Sequence, residues 1–193
     1  MEPIRAFIAI ELPSQIKAAL AQLQGNLRTS KGASVKWVDP EGVHLTLKFL
    51  GNVDESEVPA ITKALSEAVK GVAPFSLQLG DPGAFPNTHA PRVVWVGVEG
   101  DIEPLSTLHN NVDNVLAPLG FPAEKRAFSP HLTLGRVRDE TLPAERRRLG
   151  ENVAALKTGA KASFKVESLS LMRSKLTREG AVYSRLASFA LCG

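Results

Sequence analysis

His44-Leu45-Thr46-Leu47 recurs unchanged as His131-Leu132-Thr133-Leu134, so two of the chain's four histidines sit in identical settings. In each copy the leucines alternate with His and Thr. On a β-strand, residues two apart share a face, which sends the imidazole and the hydroxyl one way and both leucines the other. Two such strands lining one cleft would present two imidazoles and two hydroxyls to it. A single four-residue pattern is weak evidence, since such patterns arise easily by chance. An unaltered second copy in a chain this poor in histidine is strong evidence.

Around the motifs, Phe7 to Leu12 predicts a strand stopped by Pro13. Ser14 then caps a helix whose Ile16, Leu20, Leu23 and Leu27 recur at three- and four-residue spacing. Val35 to Val38 predicts a short strand, Asp39 to Gly42 a turn, and the first motif strand runs on to Gly51. A second helix begins at Asp54 with Val58, Ile61, Leu65 and Val69 as its apolar stripe, and Gly71 ends it. Phe75 to Leu79 reads as a strand, Gly80 to Asn87 as a loop, Arg92 to Val98 as a strand and Ile102 to Leu119 as a third helix. Ser129-Pro130 leads into the second motif strand, which runs to Val137, and a helix follows near Pro143 to Leu156. Two strands close the chain, Phe164 to Arg173 and Ala181 to Leu191, joined by the polar stretch Ser174 to Gly180. Mostly hairpin-like connections with helices to one side predict an α+β fold of two mostly antiparallel sheets backed by helices.

The composition excludes several classes. A content of 44% apolar and 22% charged residues is that of an ordinary globular protein. The net charge of +3 suits a polyanionic ligand but is too small for a protein that coats nucleic acid. The only cysteine, Cys192, has no partner for an intrachain disulfide. Met1 to Arg5 lacks the basic-then-apolar pattern of a signal peptide, and no apolar run nears the ~20 residues of a bilayer span. The expectation is a cytoplasmic protein with no membrane partner, and a monomer in the absence of any heptad pattern.

Imidazole gives or takes a proton near neutrality. Two on opposite sides of a substrate do both in one step, one activating water and the other protonating a leaving oxygen. Thr46 and Thr133 are placed to donate to the non-bridging oxygens of an anion held between them. By strand parity Lys48 continues the His44–Thr46 face and adds positive charge. A phosphodiester needs this set, with its anionic centre and its attacking and departing oxygens nearly in line. Metal chemistry fits less well, because neither motif has a carboxylate or third histidine at ligand spacing. No G-x-S-x-G elbow and no G-x-x-x-x-G-K-[ST] loop occurs, so no metal and no cofactor are expected.

With these motifs the chain resembles the 2H phosphoesterases, and within them the bacterial and archaeal RNA 2′,3′-cyclic phosphodiesterases, also described as 2′-5′ RNA ligases. The likeness runs nearly end to end. It includes Arg5 to Ile10, His44 to Gly51, Gly83 to Pro86, Pro91 to Gly97, Ser129 to Arg136, Leu171 to Ser174 and Gly180 to Tyr183. The resemblance implies a bilobal fold with pseudo-two-fold symmetry around a central cleft. Residues 1–193 then form a single domain of two interleaved lobes with one motif in each. It also implies hydrolysis of a terminal 2′,3′-cyclic phosphate on RNA, an oligonucleotide or tRNA-like end, to a 2′-phosphate. His44 acts as proton donor and His131 as proton acceptor, and reverse ligation is a side activity. The residues alone do not assign those two roles, since both histidines have the same neighbours. Phosphodiester cleavage in a small cyclic nucleotide, and RNA-end binding without turnover, are the alternatives.

Arg136 and Phe49 each lie five residues after a motif histidine. In an undisturbed pleat that odd spacing puts them on the leucine face. The resemblance instead implies that both hold the nucleotide, which requires the strand to twist or bulge. Trp37 and Tyr183 are either packing residues or platforms for a base. Arg92 reads as a solvated surface arginine, His89 and His109 as exposed bystanders, and Arg146-Arg147-Arg148 as a solvated helix face rather than an RNA patch.

Overall fold

A computed structural model describes residues 3–28, 33–158, 162–177 and 180–193. Along the chain these form β1 (Ile4–Glu11), α1 (Ser14–Arg28), β2 (Val35–Trp37), β3 (His44–Val53), α2 (Val58–Ala68), β4 (Phe75–Phe85) and β5 (Val93–Gly100). There follow α3 (Ile102–Leu116), β6 (His131–Val137), α4 (Pro143–Ala155), β7 (Ser163–Val166), β8 (Ser168–Leu176) and β9 (Ala181–Ala190). The strands make two antiparallel sheets, ordered β3-β1-β8-β9 and β2-β6-β5-β4-β7. The fold is α+β, as the sequence predicts.

The two sheets repeat one plan. β3 pairs with β1 as β6 pairs with β5, and each motif strand places its leucines inward. Leu45, Leu132 and Leu134 are wholly buried and Leu47 nearly so, in one core shared with the stripes of all four helices. At about 1.5–3 kcal/mol for each fully buried leucine, these side chains alone hold each motif strand in register. Slipping either strand by one residue would bring its histidine into the core. β1 obeys the same alternation. Ile4, Ala6, Ile8 and Ile10 join the core, while Phe7 and Ala9 form a separate small cluster with Met172 and Tyr183 on the opposite face.

Four details depart from the sequence reading. β4 runs on through Phe85 where a loop is expected from Gly80. Its pairing with β5 skips between Leu79 and Pro82, so Gly80 and Asp81 bulge out of the ladder. Lys157 and Thr158 hold that bulge through Asp81 and the Gly80 carbonyl. The expected single strand Phe164 to Arg173 is two strands parted at Glu167, β7 at the edge of one sheet and β8 inside the other. The apolar alternation slips by one residue at Glu167-Ser168, from Phe164 and Val166 to Leu169 and Leu171, and that slip marks the change of sheet. Ser14 is the first helical residue rather than the cap, and the Pro13 carbonyl accepts from Ile16 and Lys17. Of the expected Ser174–Gly180 connection, β8 takes the part through Leu176, and Arg178 and Glu179 lie outside the described residues, as do Met1 and Glu2. No helix among the described residues is long and apolar enough to cross a membrane.

Candidate active site

Each motif strand carries the same irregularity three residues past its histidine. In β3, Thr46 lies opposite Ala9 and Lys48 opposite Ile8, leaving Leu47 without a partner. In β6, Thr133 lies opposite Trp95 and Gly135 opposite Val94, leaving Leu134 without one. A β-bulge of this kind inserts one residue and reverses the parity of everything after it. The burial patterns of His44–Leu50 and His131–Val137 are accordingly the same, residue for residue. Phe49 and Arg136, on the leucine face by simple counting, emerge on the histidine face, Phe49 at 63% exposure.

The bulge overturns the expectation for Lys48. Instead of continuing the His44–Thr46 face, Lys48 turns inward to 3% exposure. Its Nζ pairs with Asp113 of α3 and donates to the Pro122 carbonyl at 2.8 Å. Gly135 holds the equivalent place in β6, where a Cβ would meet Val35 and Trp37 of β2. The carbonyl of the bulged Leu134 accepts from the Val38 amide at 2.9 Å and from the buried Gln24 amide of α1 at 3.0 Å.

The histidines share one local geometry. His44 Nδ1 donates to the Gly42 carbonyl at 2.8 Å, and His131 Nδ1 donates to the Ser129 carbonyl at 2.7 Å. A carbonyl only accepts, so Nδ1 keeps its hydrogen and Nε2 is the atom that takes or gives a proton. Rings frame each imidazole. His44 stacks on Phe7 at 4.5 Å and meets the edge of Tyr183 at 4.8 Å. His131 meets the edge of Phe85 at 5.0 Å, with Trp95 behind at 6.3 Å. Gly83 makes room for that indole, because a Cβ there would overlap the Trp95 ring. Gly83→Ala is therefore expected to destabilise the fold by about 1–3 kcal/mol, read from denaturant midpoints, and to perturb tryptophan fluorescence. An unchanged spectrum and midpoint would contradict this packing.

The sequence reading missed Glu11. It lies directly across the ladder from His44, and its carboxylate accepts from Ser170 Oγ at 2.6 Å and from Arg185 at 2.7 and 2.8 Å. Arg185 holds the Glu11 carboxyl below the usual carboxylate range, against the opposing effect of burial. Burial pulls His44 below its ordinary value, while the Gly42 carbonyl and the Glu11 charge work in the other direction. Tyr183 is pushed up by burial, and the positive charges of Arg136 and Arg5 oppose that shift. Arg136 of one sheet thus acts on a ring that touches His44 of the other, and β3 itself packs against β6. Lys36, exposed on β2, is the cross-strand partner of Arg136, which puts two cations side by side.

Other residues fall outside this cluster. Trp37 lies under the Arg28 guanidinium at 5.6 Å. Arg146 spends its guanidinium on the carbonyls of Pro91, Arg138, Asp139 and Thr141, tying α4 to its neighbours. Arg147 faces Glu151 one turn on. His89 and Arg92 are exposed. His109 is not the exposed bystander the sequence predicts, since its ring stacks on Phe128 at 4.0 Å and lies 4.0 Å from Asp113. An apolar-stripe edge looks solvated in sequence until a distant aromatic covers it.

The family model described as LigT like Phosphoesterase matches the chain twice, over residues 10–95 and 96–183. The chain belongs to this family. The LigT-like architecture extends to solved structures. Escherichia coli LigT, in its apo form, is 27% identical, with a TM-score of 0.79 and full coverage of both chains. TT0787 of Thermus thermophilus is 31% identical, with a TM-score of 0.73 over 97% of this chain and 98% of that one. Among curated LigT-like relatives, an RNA 2′,3′-cyclic phosphodiesterase of Methanothermobacter thermautotrophicus is 37% identical over 97% of this chain and 99% of its own. One of the same name from Aquifex aeolicus is 29% identical over the whole of both chains. The LigT-like match divides the chain so that each half carries one motif, one bulge and one histidine anchored through Nδ1.

Proposed function

We propose that the chain hydrolyses the 2′,3′-cyclic phosphate end of RNA to a 2′-phosphomonoester, by proton transfer between two histidines and without a metal. One observation carries this reading: both imidazoles are anchored through Nδ1 in matching bulged strands, each beside a threonine, with Phe49 and Arg136 turned onto the same faces. Full-length relatives named RNA 2′,3′-cyclic phosphodiesterase support the substrate.

In this mechanism His131 Nε2 removes a proton from water as its oxygen bonds to phosphorus. The bond from phosphorus to the 3′ oxygen breaks, and His44 Nε2 protonates that oxygen, leaving a 3′-hydroxyl and a 2′-phosphate. Thr46, Thr133 and Arg136 hold the non-bridging oxygens, and Phe49 and Tyr183 lie against the terminal nucleoside. The reverse path, 2′-5′ joining of a cyclic end to a 5′-hydroxyl, uses the same two transfers.

The test is incubation with a cyclic-ended oligoribonucleotide and with a 2′,3′-cyclic mononucleotide, with and without chelator, and identification of the monophosphate formed. The reading expects a 2′-phosphate from the oligonucleotide at a rate that chelator leaves unchanged. A 3′-phosphate, turnover of the mononucleotide alone, or chelator-abolished activity restored by added zinc would refute it. Arg136→Ala is expected to raise KM by about tenfold with little change in kcat, because a hydrogen bond to a fixed phosphate oxygen contributes equally before and during reaction. Steady-state kinetics check this.

A further inference from the structure

Directly opposite the two histidines on their ladders, the halves of the site differ. Glu11 faces His44 across the β1/β3 ladder, whereas Gly97 occupies the equivalent place opposite His131 in the β5/β6 ladder. Residues directly opposed on antiparallel strands point their side chains to the same face, about 5 Å apart at Cβ. His44 thus has a carboxylate beside it, and His131 has no side chain at all at the matching place.

That carboxylate is held still. Ser170 is buried to 1% exposure and donates to Oε1, Arg185 Nε donates to the same oxygen and Arg185 Nη2 donates to Oε2. A bidentate guanidinium and a buried hydroxyl together leave Glu11 one orientation. Several elements surround His44, and Arg136 and Arg5 reach its neighbour Tyr183 by charge. β1 supplies Phe7 and Glu11, and β9 supplies Tyr183 with Arg185 beyond Glu11. β8 supplies Ser170 and the turn before β3 supplies the Gly42 carbonyl. Lys17 of α1 reaches Glu11 by charge and pairs with Glu41 at 3.2 Å. The Gly42 carbonyl has its counterpart at His131 in Ser129, so it does not distinguish the two rings. Of the two residues opposed to the histidines on their ladders, Glu11 carries a charge and Gly97 does not, and Arg185 and Lys17 face that charge.

We propose that Glu11, locked by Arg185 and Ser170, is the positioning residue that biases the transferable proton toward His44 and so favours His44 as the acid and His131 as the base. This rests on the two-histidine reading above and supplies the asymmetry that the repeated motif lacks. A carboxylate near one imidazole favours its protonated form, here against the burial that draws His44 down. The partner ring has a glycine in that place and so no carboxylate opposed to it on the ladder.

Two measurements on Glu11→Gln, with Glu11→Asp as the charge-retaining control, test it. In the first, the His44 ring is titrated by NMR in the unliganded protein. The glutamine variant is expected to lower the His44 midpoint by on the order of one pH unit and leave His131 in place, with the aspartate variant restoring most of the shift. An unmoved His44 midpoint overturns the proposal, whether or not the protein turns over RNA ends.

In the second, kcat/KM on a 2′,3′-cyclic end is followed against pH. When an acid loses its proton too easily, the fraction of enzyme with His44 protonated and His131 free falls, so the plateau should drop by roughly tenfold, most of all toward high pH. A plateau that rises instead would make His44 the base and overturn the assignment. A wild-type protein inert toward cyclic ends would sink the functional reading, while the titration still decides what Glu11 does to His44.

Discussion

His44→Ala and His131→Ala each lower turnover of a 2′,3′-cyclic end by about 10²–10⁴-fold, while thermal melting stays close to that of the unaltered protein. The strands are held by Leu45, Leu47, Leu132 and Leu134 in the core, and both imidazoles are only partly buried, so their removal spares the packing. Because the two transfers belong to one step, the double variant should be little slower than the worse single one. Initial rates on a cyclic-ended oligonucleotide, beside circular dichroism melts, check both statements. Near-full activity in either single variant would remove that histidine from the chemistry. Rate effects that multiply in the double variant would show that the two rings act independently. The pH dependence follows from the same assignment. Burial holds His44 below its ordinary value, so the protonated donor is lost as pH rises through a point on the acid side of the usual ~6.5. Activity governed by that proton should already be declining at neutrality.

Lys48→Ala is expected to cost about 3–5 kcal/mol of stability, because it strands the Asp113 carboxylate in the interior with its principal partner gone. His109, 4.0 Å from the other carboxylate oxygen, replaces little of that pairing. The double change Lys48→Met with Asp113→Leu removes both charges and should recover most of the loss. Urea unfolding of the three proteins measures it, and a Lys48→Ala protein as stable as the parent would contradict the picture. The ion pair matters to the site as well as to the core. Lys48 turns inward at the bulge that turns Phe49 outward, so one irregularity serves both.

How far the sequence foretold this site depends on the kind of signal. The alternation of His and Thr with Leu is a strand-period pattern, and it correctly separates the core face from the open face in both motifs. Helix stripes such as Ile16, Leu20, Leu23 and Leu27 are equally plain, and all four are buried. Parity fails where a residue is inserted. Lys48 and Phe49 exchange faces because Leu47 has no partner, and nothing in His44 to Leu50 announces the bulge, since Leu47 and Leu50 are apolar on either count. Comparison of the copies held a faint clue: Gly135, equivalent to Lys48, is a residue often found where a strand bulges. Glu11 was invisible for another reason. It ends a strand just before Leu12-Pro13, like any solvated acid, and its partners Ser170 and Arg185 are far along the chain. Cross-strand neighbours are fixed by register, which one sequence does not display. The switch from β7 to β8 at Glu167 leaves only a one-residue slip in the apolar alternation, from Val166 to Leu169, and such a slip reads equally as a bulge within one strand.

The central claim is that two imidazoles, one from each repeat, flank a single phosphorus atom. A crystal structure with a 2′-phosphorylated nucleotide bound tests it most directly. The account predicts the phosphate between β3 and β6, with Nε2 of His44 and Nε2 of His131 each within about 2.6–3.2 Å of different phosphate oxygens and both threonine hydroxyls in contact with it. A phosphate held by only one histidine, or bound away from both motif strands, would contradict it.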